Sequence, residues 1–182
     1  MKENLFFLAI AASVAVSLNM LVLKLFKQKS VYRSEHSLVG IVCLMLVFST
    51  LLLAEEGPEE ASLIGTFLLS LIPCYLGTVF PDLDIKYLGI GAHRNAFFHS
   101  GTLFFILFFL AKKLDFFIPT IFTAGFGIGL GSHLLWDLFD RANIRGISSR
   151  ELSRLWLGVN GLLCLFLAWM PLIVLIEGPV SR

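Results

Sequence analysis

Seven side chains in this 182-residue sequence could do chemistry together: His36, Asp82, Asp84, His93, His99, His133 and Asp137. Imidazole nitrogens and carboxylate oxygens are ligands suited to zinc, manganese or iron. Seven candidates exceed the four ligands of one tetrahedral zinc, so one or two divalent ions are expected. A cation held by such a set would be a Lewis acid.

His133 and Asp137 are the most readable pair. Four residues apart, they fall on one helix face, where they could grip one ion or simply hydrogen-bond to each other. Gly125 and Gly129 continue that face, and Gly127 and Gly131 repeat the small-xxx-small pattern that lets helices approach closely. A neighbouring helix could therefore bring ligands near His133. The glycine run lacks the Lys-Ser/Thr ending of a phosphate loop.

Pro81-Asp82-Leu83-Asp84 places two carboxylates on a proline-broken helix end, which predicts an irregular turn serving an ion or merely solvated acids. His93-Arg94-Asn95-Ala96-Phe97-Phe98-His99-Ser100 follows a Gly-rich stretch; six residues is not a one-face helical spacing. Either His93 lies in the preceding loop, or the two rings point to neighbouring faces. Arg94 could clamp a phosphate or carboxylate, or snorkel to lipid headgroups.

The elements that must position these groups are apolar helices. The chain is 57% hydrophobic with 15% charged residues, against about 25% charged in soluble domains. Its mean hydropathy is +0.86. Six apolar blocks stand out: Leu5–Leu23, Leu38–Ala54, Ala61–Phe80, Ala96–Ala111, Phe116–Leu135 and Leu155–Ile176. Each is expected to be a spanning helix, the second and fourth extending by a turn. The expected fold is an all-α polytopic membrane bundle of about six transmembrane helices. Leu5–Leu23 reads as a retained anchor rather than a signal peptide, since only Lys2 precedes it and its apolar run is long.

The loops after the first, third and fifth blocks carry ten of the fourteen basic residues, which puts those loops in the cytoplasm. All four histidines then lie at cytoplasmic helix ends. Net charge is +1, so no nucleic-acid partner is expected. Cys43, Cys74 and Cys164 lie far apart in apolar blocks and are expected to be buried thiols. One membrane domain is expected. Residues 1–35 form an anchor helix and basic loop, 36–140 the chemical core, and 141–182 a basic loop and last span.

Taken in order, His36-Ser37-Leu38-Val39-Gly40, Pro81-Asp82-x-Asp84, His93-Arg94 with His99-Ser100, and Gly129 with His133-Leu-Leu-x-Asp137 resemble the YdjM-like, LexA-regulated, inner-membrane metal-dependent hydrolase family. The resemblance covers roughly residues 36–140. The chain differs from the usual pattern by an added helix before His36, by Ile85 where a histidine often follows the second acid, and by a longer His93–His99 interval. The resemblance implies a divalent-metal hydrolase of the bacterial inner membrane. A fold-level analogy to zinc-dependent phospholipases C would favour phosphoesters.

The leading expectation is metal-assisted hydrolysis at the cytoplasmic membrane face, on a lipid or lipid-linked phosphoester. Asp84 would be the base and Arg94 the anion-binding residue. The alternative is a non-enzymatic membrane subunit or scaffold whose His/Asp site is structural. A transporter ranks last, because transport needs polar groups near the midplane.

Overall fold

The computed structural model describes residues 34–52, 60–139 and 143–177. They form α1 (Ser34–Leu52), α2 (Glu60–Val79), short α3 (Leu83–Leu88), a 3-10 turn (Ile90–Ala92), α4 (Thr102–Leu114), α5 (Phe117–Phe139) and α6 (Arg150–Glu177). The fold is all-α. The one strand-like feature among the described residues is an isolated parallel bridge between Asn95 and Arg145. The expected span Leu5–Leu23 lies outside the described residues.

Four expected apolar blocks correspond to α1, α2, α5 and α6. The block Ala96–Ala111 does not form one helix: α4 starts only at Thr102. Local side chains explain the delay. Asn95 Oδ1 accepts from the Phe97 N–H at 2.9 Å, and Ser100 Oγ donates to the Phe97 carbonyl at 2.7 Å. Such bonds offer the backbone an alternative to the helical ladder. His93–Gly101 is therefore a chain of turns. The acid pair also differs from expectation. Asp82 sits in the turn after Pro81, but Asp84 already belongs to α3.

Gly89 ends α3 at a φ of +80°, and Asp115 ends α4 in a left-handed conformation at a φ of +51°. The left-handed Asp115 is an ordinary helix stop, whereas Gly89 takes a positive-φ, extended-ψ conformation open mainly to glycine.

The bundle is organised around α5, which α2 and α6 line most extensively and α1 next. Its glycines permit this. A methyl group at Gly129 would run into the Cys74 carbonyl of α2, and one at Gly127 into the Phe104 ring of α4. The expected Gly-xxx-Gly pairs thus divide their work. Gly125 and Gly129 admit α2, while Gly127 and Gly131 admit α4 and α6. Leu44, Phe104, Ile128, Leu130, Leu134 and Leu172 fill the core without exposure.

Apolar side chains also cover the outside: Leu46, Leu69, Ile72, Phe109, Leu162 and Phe166 are all exposed. Among the described residues, Phe117–Phe139 and Arg150–Leu172 are long and apolar enough to cross a membrane; Glu35–Leu51 and Leu63–Val79 are shorter apolar helices. Cys74 and Cys164 are buried free thiols, and Cys43 is a half-buried one.

Candidate metal centre

The start of α1, the ends of α2 and α5, and the starts of α4 and α6 meet at one end of the bundle, as the bonds His36–His133, Thr78–His133, His99–Trp156 and Gly101–Asn160 record. The seven candidate ligands and Arg94 arrive there. Two groups have ligand atoms within 4.8 Å of one another: His36 with His133 and Asp137, and Asp82 with His93 and His99.

α5 supplies the best-defined part. His133 Nδ1 lies 2.6 Å from the Thr78 carbonyl at the end of α2. A carbonyl only accepts, so the proton is on Nδ1, and in the neutral ring Nε2 carries the lone pair. His36 Nδ1 lies 2.8 Å from the same nitrogen. An imidazole whose far nitrogen is tied to a backbone carbonyl is oriented as metal-binding histidines are.

The His133 Nε2 atom faces Asp137 Oδ2 at 3.6 Å, and His99 Nε2 faces the same oxygen at 3.4 Å. These separations exceed ordinary hydrogen bonds of about 2.7–3.2 Å. Neither Nε2 atom has a hydrogen-bond partner among the described residues, and both rings are fully buried. Orphaned buried nitrogens are costly. Ligands bound tetrahedrally at about 2.0–2.2 Å lie roughly 3.3–3.6 Å apart. Both separations lie in or at the edge of that range, as expected of groups that could hold a cation.

Asp84 stands behind this set. Its Oδ1 accepts from His93 Nδ1 at 3.1 Å, and its Oδ2 accepts from the Asn95 N–H at 3.0 Å and faces His99 Nδ1 at 3.5 Å. Arg94 is buried and donates to Asp137 Oδ1 at 3.1 Å, leaving Oδ2 to the histidines. Its backbone is left-handed, at a φ of +63°. Such strain in a non-glycine residue persists only where its surroundings impose it. Here the Arg94 carbonyl is fixed by the Arg145 N–H at 2.9 Å.

Electrostatics separate the two acids of the Pro81 turn. Burial pushes the Asp82 carboxyl up, against the pull of His133, His99 and His93. Burial would raise Asp84 as well, but the His93 and Asn95 bonds outweigh it and hold Asp84 below the ordinary carboxylate range. Burial lowers His99, favouring the neutral ring that binds metal.

Sequence reasoning missed Thr78, which acts through its carbonyl and carries no side-chain signal. It also missed Trp156, whose Nε1–H donates to the His99 carbonyl at 2.8 Å, and Asn160, whose Oδ1 accepts from the Gly101 N–H at 2.9 Å. A polar Asn160 inside an apolar block was a readable signal. Compared with known proteins, the chain matches no protein-family model, no curated protein and no solved structure.

Proposed function

We propose that the chain is a multi-pass protein of the bacterial inner membrane and a metal-dependent hydrolase of the YdjM-like kind. Its centre faces the cytoplasm and acts on a phosphoester of a lipid or lipid-linked substrate. The observation that carries the reading is the pair of buried, orphaned Nε2 atoms of His99 and His133, both aimed at Asp137 Oδ2. The apolar exterior supports the membrane part, since soluble monomers rarely expose large contiguous apolar patches. The position of the centre at the helix ends favours a substrate presented from the bilayer surface.

His36, His133 and Asp137, and beside them Asp82, His93 and His99, would hold one or two ions, zinc or manganese by donor type. When bound, such a cation supplies Lewis acidity, acidifying water and polarising an ester oxygen. Asp84, the base in this reading, also accepts from His93 and the Asn95 N–H and faces His99, so it orients both rings. Arg94 fixes a positive charge beside the centre for an anionic ester.

The complete burial of His99 and His133 favours a second reading, in which the cation only pins the surrounding helix ends and turns together. Elemental analysis of purified wild type, Asp82→Ala and His133→Ala, alongside hydrolysis of a phospholipid and nucleotide panel, separates the cases. Metal and turnover in wild type, both lost in His133→Ala, are expected. Metal without turnover on the panel selects the scaffold. Full metal content and activity in His133→Ala removes this centre from consideration.

A further inference from the structure

We infer that Trp156 and Asn160 of α6 are positioning residues that hold the His99 turn in register with α5, an inference that rests on the metal reading above. The His99 ring has no ordinary hydrogen bond to fix it: Nδ1 stands 3.5 Å from Asp84 and Nε2 3.4 Å from Asp137. Its placement is therefore inherited from its backbone. That backbone is not helical, because α4 begins only at Thr102.

The turn is gripped from α6 at two points. The indole N–H of Trp156 donates to the His99 carbonyl at 2.8 Å, and the Gly101 N–H donates to Asn160 Oδ1 at 2.9 Å. The two side chains are four residues apart on one helix face, and Asn160 Nδ2 donates back to the Trp156 carbonyl at 2.8 Å. α6 in turn is seated directly on the metal-bearing helix. A methyl at Gly131 of α5 would come within 2.8 Å of the Gly161 carbonyl. One short rigid path thus links the His99 backbone to the helix that carries His133 and Asp137. A shift of α6 would change the gap between His99 Nε2 and Asp137 Oδ2.

Trp156 is 37% exposed, and a half-exposed tryptophan near a helix end is ordinarily an interfacial anchor. Trp136 on α5 is 40% exposed at the same end of the bundle and makes no bond to the turn, so it controls for that role. The indole offers a single donor, and Trp156→Phe deletes it while keeping an aromatic ring.

The experiment strips metal from the purified full chain and titrates it with cobalt(II), read by the visible absorption of the bound ion. Trp156→Phe and Asn160→Leu are each expected to bind cobalt about 10-fold more weakly, with a shifted absorption band. Trp136→Phe is expected to match wild type. Asn160→Asp keeps an oxygen for the Gly101 N–H and is expected to recover most of the affinity lost in Asn160→Leu. Wild-type affinity and spectrum in both Trp156→Phe and Asn160→Leu overturn the clamp, as does an equal loss in Trp136→Phe. If Trp156→Phe does not yield folded protein, the Asn160→Leu and Asn160→Asp pair decides the matter. Wild type that takes up no cobalt overturns the metal reading and the clamp with it, a result distinct from failure of the clamp alone.

Discussion

His99 Nε2 and Asp137 Oδ2 stand 3.4 Å apart inside the bundle, although one belongs to the turn before α4 and the other to the end of α5. Asp137 presents its other oxygen to Arg94 at 3.1 Å. The carboxylate is thus divided, one oxygen paired with the Arg94 guanidinium and one turned to the Nε2 atoms of His99 and His133.

That division predicts different outcomes for its two neighbours. Asp137→Asn should weaken metal binding by at least the about 10–100-fold typical of changes around metal ligands. Arg94→Met should retain metal but lose turnover of anionic esters. Metal titration and hydrolysis assays on both variants check this. Asp137→Asn binding metal as tightly as wild type would remove Asp137 from the centre.

The contact between α2 and α5 makes a second prediction. A methyl at Gly129 meets the Cys74 carbonyl, and the same contact places the Thr78 carbonyl on His133 Nδ1. Gly129→Ala should cost about 1–3 kcal/mol through overpacking and weaken metal binding as well. Gly65 on α2 has open space around it, so Gly65→Ala should gain about 0.5–1 kcal/mol and leave the metal unchanged. Thermal melts and metal analysis of the two variants are the check.

Asp84 carries a pH signature. Its folded carboxyl lies below the ordinary range, so its charge stabilises the fold fully above about pH 4, and that stabilisation is lost as pH falls through the depressed value. Metal-free wild type should therefore melt higher than Asp84→Asn near neutral pH, with the gap closing in acid. A gap that widens on acidification would contradict the His93 and Asn95 bonding described for Asp84.

Orientation is open to labelling. Ser148 is exposed at the end of the bundle that holds the His/Asp groups, and Lys113 is exposed near the last turn of α4, at the opposite end. In intact cells, an impermeant thiol reagent should label Lys113→Cys and reach Ser148→Cys only after lysis. The reverse pattern would place the centre outside the cytoplasm.

Much of this protein is written locally in its sequence. Continuous apolar blocks specify helices because each residue's burial and backbone bonding are satisfied within its own segment, and α1, α2, α5 and α6 appear where those blocks lie. The four-residue interval of His133 and Asp137 sets them on one face by helix geometry alone. The beginning of α4 was not legible from hydropathy, because Asn95 and Ser100 divert the backbone through bonds that depend on side-chain direction.

Convergence was decided only by tertiary structure. Nothing in the interval between His36 and His133 states that their rings lie 2.8 Å apart at Nδ1. That distance follows from how closely helices can cross, which Gly129 and Gly40 allow by lacking side chains where Cys74 and Thr78 pass. Asp84 meets His93 and faces His99 for the same reason. Which ring it meets depends on how the 89–101 segment folds back, and α6 holds that segment through Trp156 and Asn160. Helix formation is a property of one segment, whereas register between helices is a property of their packed surfaces, and a chemical site depends on register.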